Sequence, residues 1–240
     1  MSHHTQREFI SLAASAMPRF FDKKRILEIG SLDINGTVRD YFTNCDYIGL
    51  DVAEGQHVDV VCEGQKYNEP EGSFDHVISC ESMEHNPYWI DTFSNMVRLC
   101  KPDGLVLMTC ATTGRKEHGT TRTTPMSSPL TVDLGWEYYR NLQRSNFESE
   151  FPLEELFSAH CFWSDWRTYD LYFCGIRKNP DAPENVDTQW TSFCAKMDQM
   201  NSISNGLKIH KYRAFAARWI GDKWFIALRK LTKTLLYLHD

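Results

Sequence analysis

The sequence predicts a doubly wound α/β fold: a mostly parallel seven-stranded sheet with an antiparallel closing strand, followed by a helical C-terminal tail. Three observations predict it. Between residues 25 and 111, short apolar runs alternate with segments of helical periodicity. RILEIG (25–30) is compactly apolar and LVLMTCA (105–111) apolar throughout, which marks strands covered on both faces. Two further strand-like runs near the end of this region follow each other directly, and read most simply as an antiparallel pair.

The elements come in this order. REFISLAASAMPRFF (7–21) has apolar residues at helical spacing, with Pro18 disturbing its end, and packs beside the first strand. RILEIG (25–30) is the first strand and stops at Gly30; GTVRDYF (36–42) reads as a helix after a loop. DYIGLDV (46–52) is a second strand closing on Asp51, VDVVCEG (58–64) a short third, and SFDHVISC (73–80) the fourth. YWIDTFSNMVRLC (88–100) is helical and is ended by Lys101–Pro102–Asp103–Gly104, before the fifth strand at 105–111. Residues 112–150 break the rhythm, being rich in Thr, Arg, Ser and Pro with aromatics at Trp136, Tyr138 and Tyr139. FPLEELFSA (151–159) reads as a helix, and FWSDWRT (162–168) and YDLYFCGIRK (169–178) as the closing strands. A polar linker past Pro180 leads to a helical tail from Ala195 to His239, so residues 1–179 form the domain and 180–240 an appendage.

A chain of 240 residues has room for one such domain. With 42% hydrophobic and 24% charged residues it can build a core and is no disordered chain. A net charge of −6 gives no sign of a nucleic-acid partner. No apolar run reaches the ~18–20 residues that span a bilayer, and no leader pattern opens the chain, so a cytoplasmic location is the expectation. The eight cysteines are scattered without a Cys-x-x-Cys pair, which suits reduced, buried thiols better than a zinc knuckle or disulfide framework.

The most informative stretch is Glu28–Ile29–Gly30–Ser31–Leu32–Asp33–Ile34–Asn35–Gly36, between the first strand and the expected helix. Glycine there lets the backbone turn sharply and approach a ligand, and a helix start would offer free amide hydrogens. Gly-x-Gly-x-x-Gly and a phosphate-binding Lys loop are both absent, so no pyrophosphate site is read. Taken alone, the two glycines serve equally as a plain turn. Asp51, 21 residues after Gly30 at the end of the second strand, is placed to accept both hydroxyls of a ribose. A ribose without pyrophosphate points to a nucleoside cofactor such as S-adenosyl-L-methionine (SAM).

RILEIGSLDING, YIGLDV, SFDHVISCESMEHNP and LCKPDGLVLMT, in that order across residues 25–111, resemble four motifs of the class I SAM-dependent methyltransferases of the methyltransferase-11 type. Asp103 stands where that group more commonly has glycine. The resemblance implies that Glu28, Gly30, Ser31 and Gly36 surround the methionine part of SAM, with Asp33 and Asn35 in the same loop. It implies that Asp51 holds the ribose, that Val52 lies against the adenine with Cys62 and Glu63 at its edge, and that Cys80 lies near the sulfonium. His85, whose ordinary pKa of about 6.5 suits proton transfer, and Glu81 are the candidate catalytic groups. Bracing a loop explains Glu84–His85 as well, and as two ligands they are too few for a metal site.

Residues 112–150 are the candidate substrate wall, with Arg115, Lys116, His118, Arg122, Tyr138, Tyr139 and Arg140 suiting an acidic or sugar-like substrate. A solvated loop held down by its aromatics explains them equally well, and His160 and Trp163 are expected in the core. Residues 206–240 carry eight Lys/Arg against two Asp, interleaved with Trp, Phe and Leu at helical spacing. Such a tail suits docking on the domain itself or on a second copy, or contact with an anionic membrane. The function expected is methyl transfer to a small-molecule or saccharide acceptor, by O-methylation. The alternatives are an RNA or protein methyltransferase, or a non-catalytic SAM-binding scaffold.

Overall fold

A computed structural model of the chain describes residues 4–181 and 187–205, with 212–213, 215–216, 220 and 224–227 of the tail. Most of the predicted basic tail helix, and the 182–186 part of the linker, lie outside the described residues.

Helix α1 (His4–Ala16) leads into β1 (Arg25–Ile29), β2 (Asp46–Asp51), β3 (Val60–Val61) and β4 (Phe74–Cys80). Helix α2 (Trp89–Leu99) runs directly into β5 (Cys100–Ala111). The next segment holds the short helices α3 (Pro129–Asp133), α4 (Arg144–Glu150) and α5 (Leu153–Leu156). Strands β6 (Phe157–Asp165) and β7 (Asp170–Arg177) and helix α6 (Thr188–Asn205) complete the described fold. The seven strands form one sheet in the order β3-β2-β1-β4-β5-β7-β6. All pairings are parallel up to β5, and β7 runs antiparallel to both β5 and β6, as the sequence predicts.

Both faces of the sheet are apolar because successive residues of each strand point to opposite sides. In β5, Leu105 and Leu107 join α1 and α6 in one core cluster. Val106, Met108 and Cys110 of the same strand join α2 and α4 in the other. Strand β7 divides the same way, Tyr172 and Cys174 to the first and Leu171 and Phe173 to the second. On the α1 face Phe9 stacks on Tyr172 at 4.8 Å and Phe193 of α6 lies edge-on to Trp163 at 5.5 Å. Helix α6 therefore begins seven residues before the predicted tail helix and helps cover the sheet.

Two predicted helices are corrected. GTVRDYF is not an α-helix: the β1–β2 crossover contains only a single 3-10 turn, Arg39–Tyr41. Asn44 then turns the chain back at φ 54° toward β2. The Thr37 hydroxyl accepts the Arg39 amide, and Val38 sinks into the α1 core from a loop. FPLEELFSA is helical only over α5, because Phe157 and Ala159 pair with Arg177 and Ile176 of β7. Strand β5 also begins earlier than predicted, at Cys100, running through the Lys-Pro-Asp-Gly stretch.

Candidate active site

Strand order reverses between β1 and β4, and in an open α/β sheet that reversal leaves a crevice beyond the carboxyl ends of the strands. A cleft lies there. It is lined by Gly30 and Leu32 from the end of β1, Asp51 from β2, Cys80–Ser82 and His85 after β4, and Ser127–Thr131 above. Gly30 adopts φ +81°, and a Cβ there would sit 2.5 Å from Cβ of Ser82, so the two loops meet across a glycine.

Asp51 is fixed by backbone: Oδ2 accepts the Leu32 amide at 3.0 Å and Oδ1 the Val52 amide at 2.8 Å. Burial raises its pKa, against the pull of those two amides. A desolvated carboxylate with one amide on each oxygen keeps lone pairs for further donors, which is the chemistry a ribose diol requires. The cavity has a volume of about 50 Å³. Small-molecule pockets run to roughly 300 Å³ and above, so the cleft as it stands is narrower than a nucleoside cofactor needs.

The expected row of free amides is absent because no helix starts in this loop. The Gly30 and Ser31 amides both donate to the Leu50 carbonyl, and the Gly36 amide donates to Asp33 Oδ1 at 2.6 Å. Asp33 Oδ2 also lies 3.4 Å from His57 Nδ1, and Asn35 is exposed. Glu28 is buried on the α1 face, accepting the Tyr47 hydroxyl at 2.8 Å, and does not line the cleft. Burial pushes its carboxyl up to about 7. Val52 continues from Asp51, and the Cys62 amide donates to the Asp51 carbonyl. Glu63 is held by Gln65 and Lys66, at 2.6 and 2.5 Å. Cys80 lines the cleft, with its thiol pushed up by burial.

A polar cluster adjoins the cleft. Glu81 takes φ 52° as the chain leaves β4, and Met83–His85 form one 3-10 turn. The Glu84 carbonyl accepts the Arg140 amide at 2.9 Å, tying this turn to the 112–150 segment. The rings of His85, His118 and Tyr139 pack together with centroids 4.9–5.5 Å apart. Arg115 donates to the Thr168 carbonyl at 2.7 Å and pairs with buried Asp170 at 3.4 Å. Burial, helped by His118, pushes His85 down to about 3, so the ordinary value assumed from sequence does not hold. Burial next to Glu81 pushes Glu84 up to about 8.

The structure thus gathers Glu81, His85, Arg115, His118 and Tyr139, separated by as many as 58 residues in the chain. Arg122 does not join them; it is exposed, paired with Glu117 and Glu137. Tyr138 packs instead on the α2-side core. Sequence reasoning missed Ser82, the 127–131 roof and Asp170. Asp170 sits where an apolar run turns acidic, a detectable signal, whereas the roof carries only a Ser-Ser-Pro turn signature.

Residues 1–162 match the family model described as a methyltransferase domain. No curated protein matches the sequence. Among solved structures, Haemonchus contortus phosphoethanolamine N-methyltransferase 2 in complex with SAM is similar at 15% identity and a TM-score of 0.48. That match covers 73% of this chain and 57% of the other, so this chain spans little more than half of that relative's length. Burkholderia thailandensis 1,6-didemethyltoxoflavin-N1-methyltransferase, with bound 1,6-didemethyltoxoflavin and S-adenosylhomocysteine, is similar at 12% identity and a TM-score of 0.49. The match covers 73% of this chain and 80% of that one. With the family model spanning two thirds of its length, on the sheet its motifs predict, the chain belongs to the methyltransferase-domain family, in its class I, SAM-dependent group.

Proposed function

We propose that this protein transfers the methyl group of SAM to an oxygen of a small-molecule or saccharide acceptor. The observation that carries the reading is one cleft at the reversal of strand order, lined by the Asp51 carboxylate and by Glu81 and His85. SAM supplies a methyl group already bonded to a sulfonium leaving group, so the protein's task is alignment and removal of the acceptor's proton.

The residues present fit that cofactor. Asp51 offers a buried, backbone-fixed carboxylate to a ribose, Gly30 lets the loop approach closely, and Cys80 lines the same cleft. Val52, Cys62 and Glu63 follow around the end of β2, on the side assigned to adenine. Ser31, Asp33, Asn35 and Gly36 shape the loop over the methionine part, and Glu28 braces it from beneath through Tyr47. Glu81 and His85 face the acceptor, and Arg115, His118 and Tyr139 form the wall beside it. Cationic and aromatic groups together suit an acidic or sugar-like acceptor.

On this reading residues 1–179 carry catalysis and 112–150 choose the substrate. The described tail residues pack on the domain: Ala216 and Phe225 are buried against Tyr169, and Arg213 reaches the Trp166 carbonyl. On the same reading the enzyme is cytoplasmic and acts on soluble or lipid-linked precursors. Calorimetry with SAM and S-adenosylhomocysteine, then radiolabelled methyl transfer into nucleotide-sugar, lipid-linked, RNA and protein pools, tests it. Label in an alkali-stable small-molecule ether is the expected product. Label confined to RNA or protein, or cofactor binding with no turnover on any pool, overturns it.

A further inference from the structure

We propose that Glu84, His85 and His118 form a binding site for a divalent transition-metal ion at the acceptor end of the cleft. Each residue offers one ligand atom, and these atoms all lie within 4.8 Å of one another. Ligands about 2.1 Å from a shared ion are at most ~4.2 Å apart, so sub-ångström adjustments would close the set.

Hydrogen bonding points the same way. Glu84 is fully buried, yet neither carboxylate oxygen has a hydrogen-bond partner from another residue. Leaving such a group unsatisfied costs several kcal/mol in an apolar setting, which a cation would relieve. His85 Nδ1 is also buried without a partner. His118 differs informatively: its Nδ1 lies 3.0 Å from the Lys116 carbonyl, which holds the proton there and leaves Nε2 as the ring's remaining donor atom. A backbone carbonyl orienting one imidazole nitrogen is the usual outer support of a metal-bound histidine.

The scaffold holds the three together. Glu84 and His85 share one 3-10 turn, clamped by the Ser82 carbonyl and by the Arg140 amide. The loop of His118 presses on His85 through Gly119, at φ +64°, where a Cβ would come within 2.6 Å of His85 Cε1. Only glycine permits that approach. Glu81 adds a second carboxylate nearby, and the local cation, Arg115, is already paired with Asp170. Two imidazoles and a carboxylate suit zinc, manganese, iron, cobalt or nickel rather than calcium or magnesium.

The role of the ion rests on the methyltransferase reading; the site itself does not. An acceptor hydroxyl entering an open coordination position would lose its proton to water more readily. The O–C bond then forms as the S–C bond of SAM breaks, and S-adenosylhomocysteine leaves.

The test uses full-length protein stripped with a chelator. Zinc and manganese are titrated by calorimetry, and cobalt by its ligand-field absorption. The expected result is one saturable site, weakened by roughly tenfold or more in both Glu84→Gln and His118→Ala. S-adenosylhomocysteine titrated into the same samples should bind all three proteins alike. Thermal unfolding of each metal-free variant shows that it is folded. Should Glu84→Gln fail there, His118→Ala, on a partly exposed loop, carries the test. No saturable site in the parent protein, or equal affinity in the folded variants, overturns the proposal. S-adenosylhomocysteine binding without metal binding sinks the metal site alone, whereas metal binding without S-adenosylhomocysteine sinks the cofactor reading.

Discussion

Gly30 and Ser82 touch across the mouth of the cleft so closely that a single added methyl on Gly30 would overlap the serine side chain, 2.5 Å from its Cβ and 2.7 Å from its Oγ. Ser82 is itself held by Ser79, hydroxyl to hydroxyl at 2.8 Å, and so has little room to retreat. Gly30→Ala should destabilise the protein by about 1–3 kcal/mol, from overpacking and from a positive φ that alanine disfavours. Urea unfolding measures this, and a Gly30→Ala/Ser82→Gly double variant should recover the steric part only.

Asp51 has a role that depends on its shape and another that depends on its charge. Asp51→Asn keeps the shape but sets an amide group against the Leu32 or Val52 amide, where an oxygen now accepts. Calorimetry should find SAM bound about 2 kcal/mol more weakly, roughly thirtyfold. Affinity equal to the parent's would remove Asp51 from the ribose site.

Glu28 imposes a pH dependence on stability. Its ordinary pKa is 4.5, and burial pushes it to about 7 in the folded chain. Between those values the folded state holds a proton that the unfolded state has lost, so this group's contribution to stability falls as pH rises from 4.5 to 7 and is level above. The total is on the order of 3 kcal/mol. Glu28→Gln, which can still accept from Tyr47, should remove that slope. Unfolding midpoints at several pH values would show it, and an unchanged slope would place the titration elsewhere.

Cys161, on β6, should be the most reactive of the eight thiols near neutral pH. Hydrogen bonding to Cys194 of α6 draws it down to about 7, while burial pushes the thiols of Cys80, Cys100, Cys110 and Cys174 up. The thiolate is the nucleophile, so timed iodoacetamide labelling with peptide mapping should find Cys161 modified first. In Cys194→Ser the lead should shrink; Cys45 or Cys62 reacting first would refute the assignment.

The strands were legible because burial on both faces leaves an unmistakable apolar run, as in LVLMTCA, and because Asp51 ends its strand on a charge. The β1–β2 crossover was not. Val38, Tyr41 and Phe42 have the spacing of a helix face, yet they reach the α1 core from a loop with a single 3-10 turn. In FPLEELFSA the local preference for helix yields to the edge of β7, a long-range pairing that no window of sequence contains. Gly30, Asp51 and Cys80, which line the cleft, were readable for the same reason as the strands, since each stands at a strand end. The acceptor side was not: Glu84 and His85 stand together in the sequence, but His118 is 33 residues away and meets them only through the fold.

The Ser127–Thr131 turn has a consequence for the order of events during turnover. It belongs to the same stretch of chain that carries Arg115, His118 and Tyr139, and Arg140 beyond it is bonded back to the Glu84 turn. Opening the cleft at that turn would therefore pull on the wall proposed to receive the acceptor, through a segment tied back at Arg140. Were that turn the part that yields, the proposed acceptor wall would take its working shape only after the cofactor is seated. Such an enzyme runs an ordered cycle, its first ligand setting the grip for its second, and product-inhibition patterns would display that sequence directly.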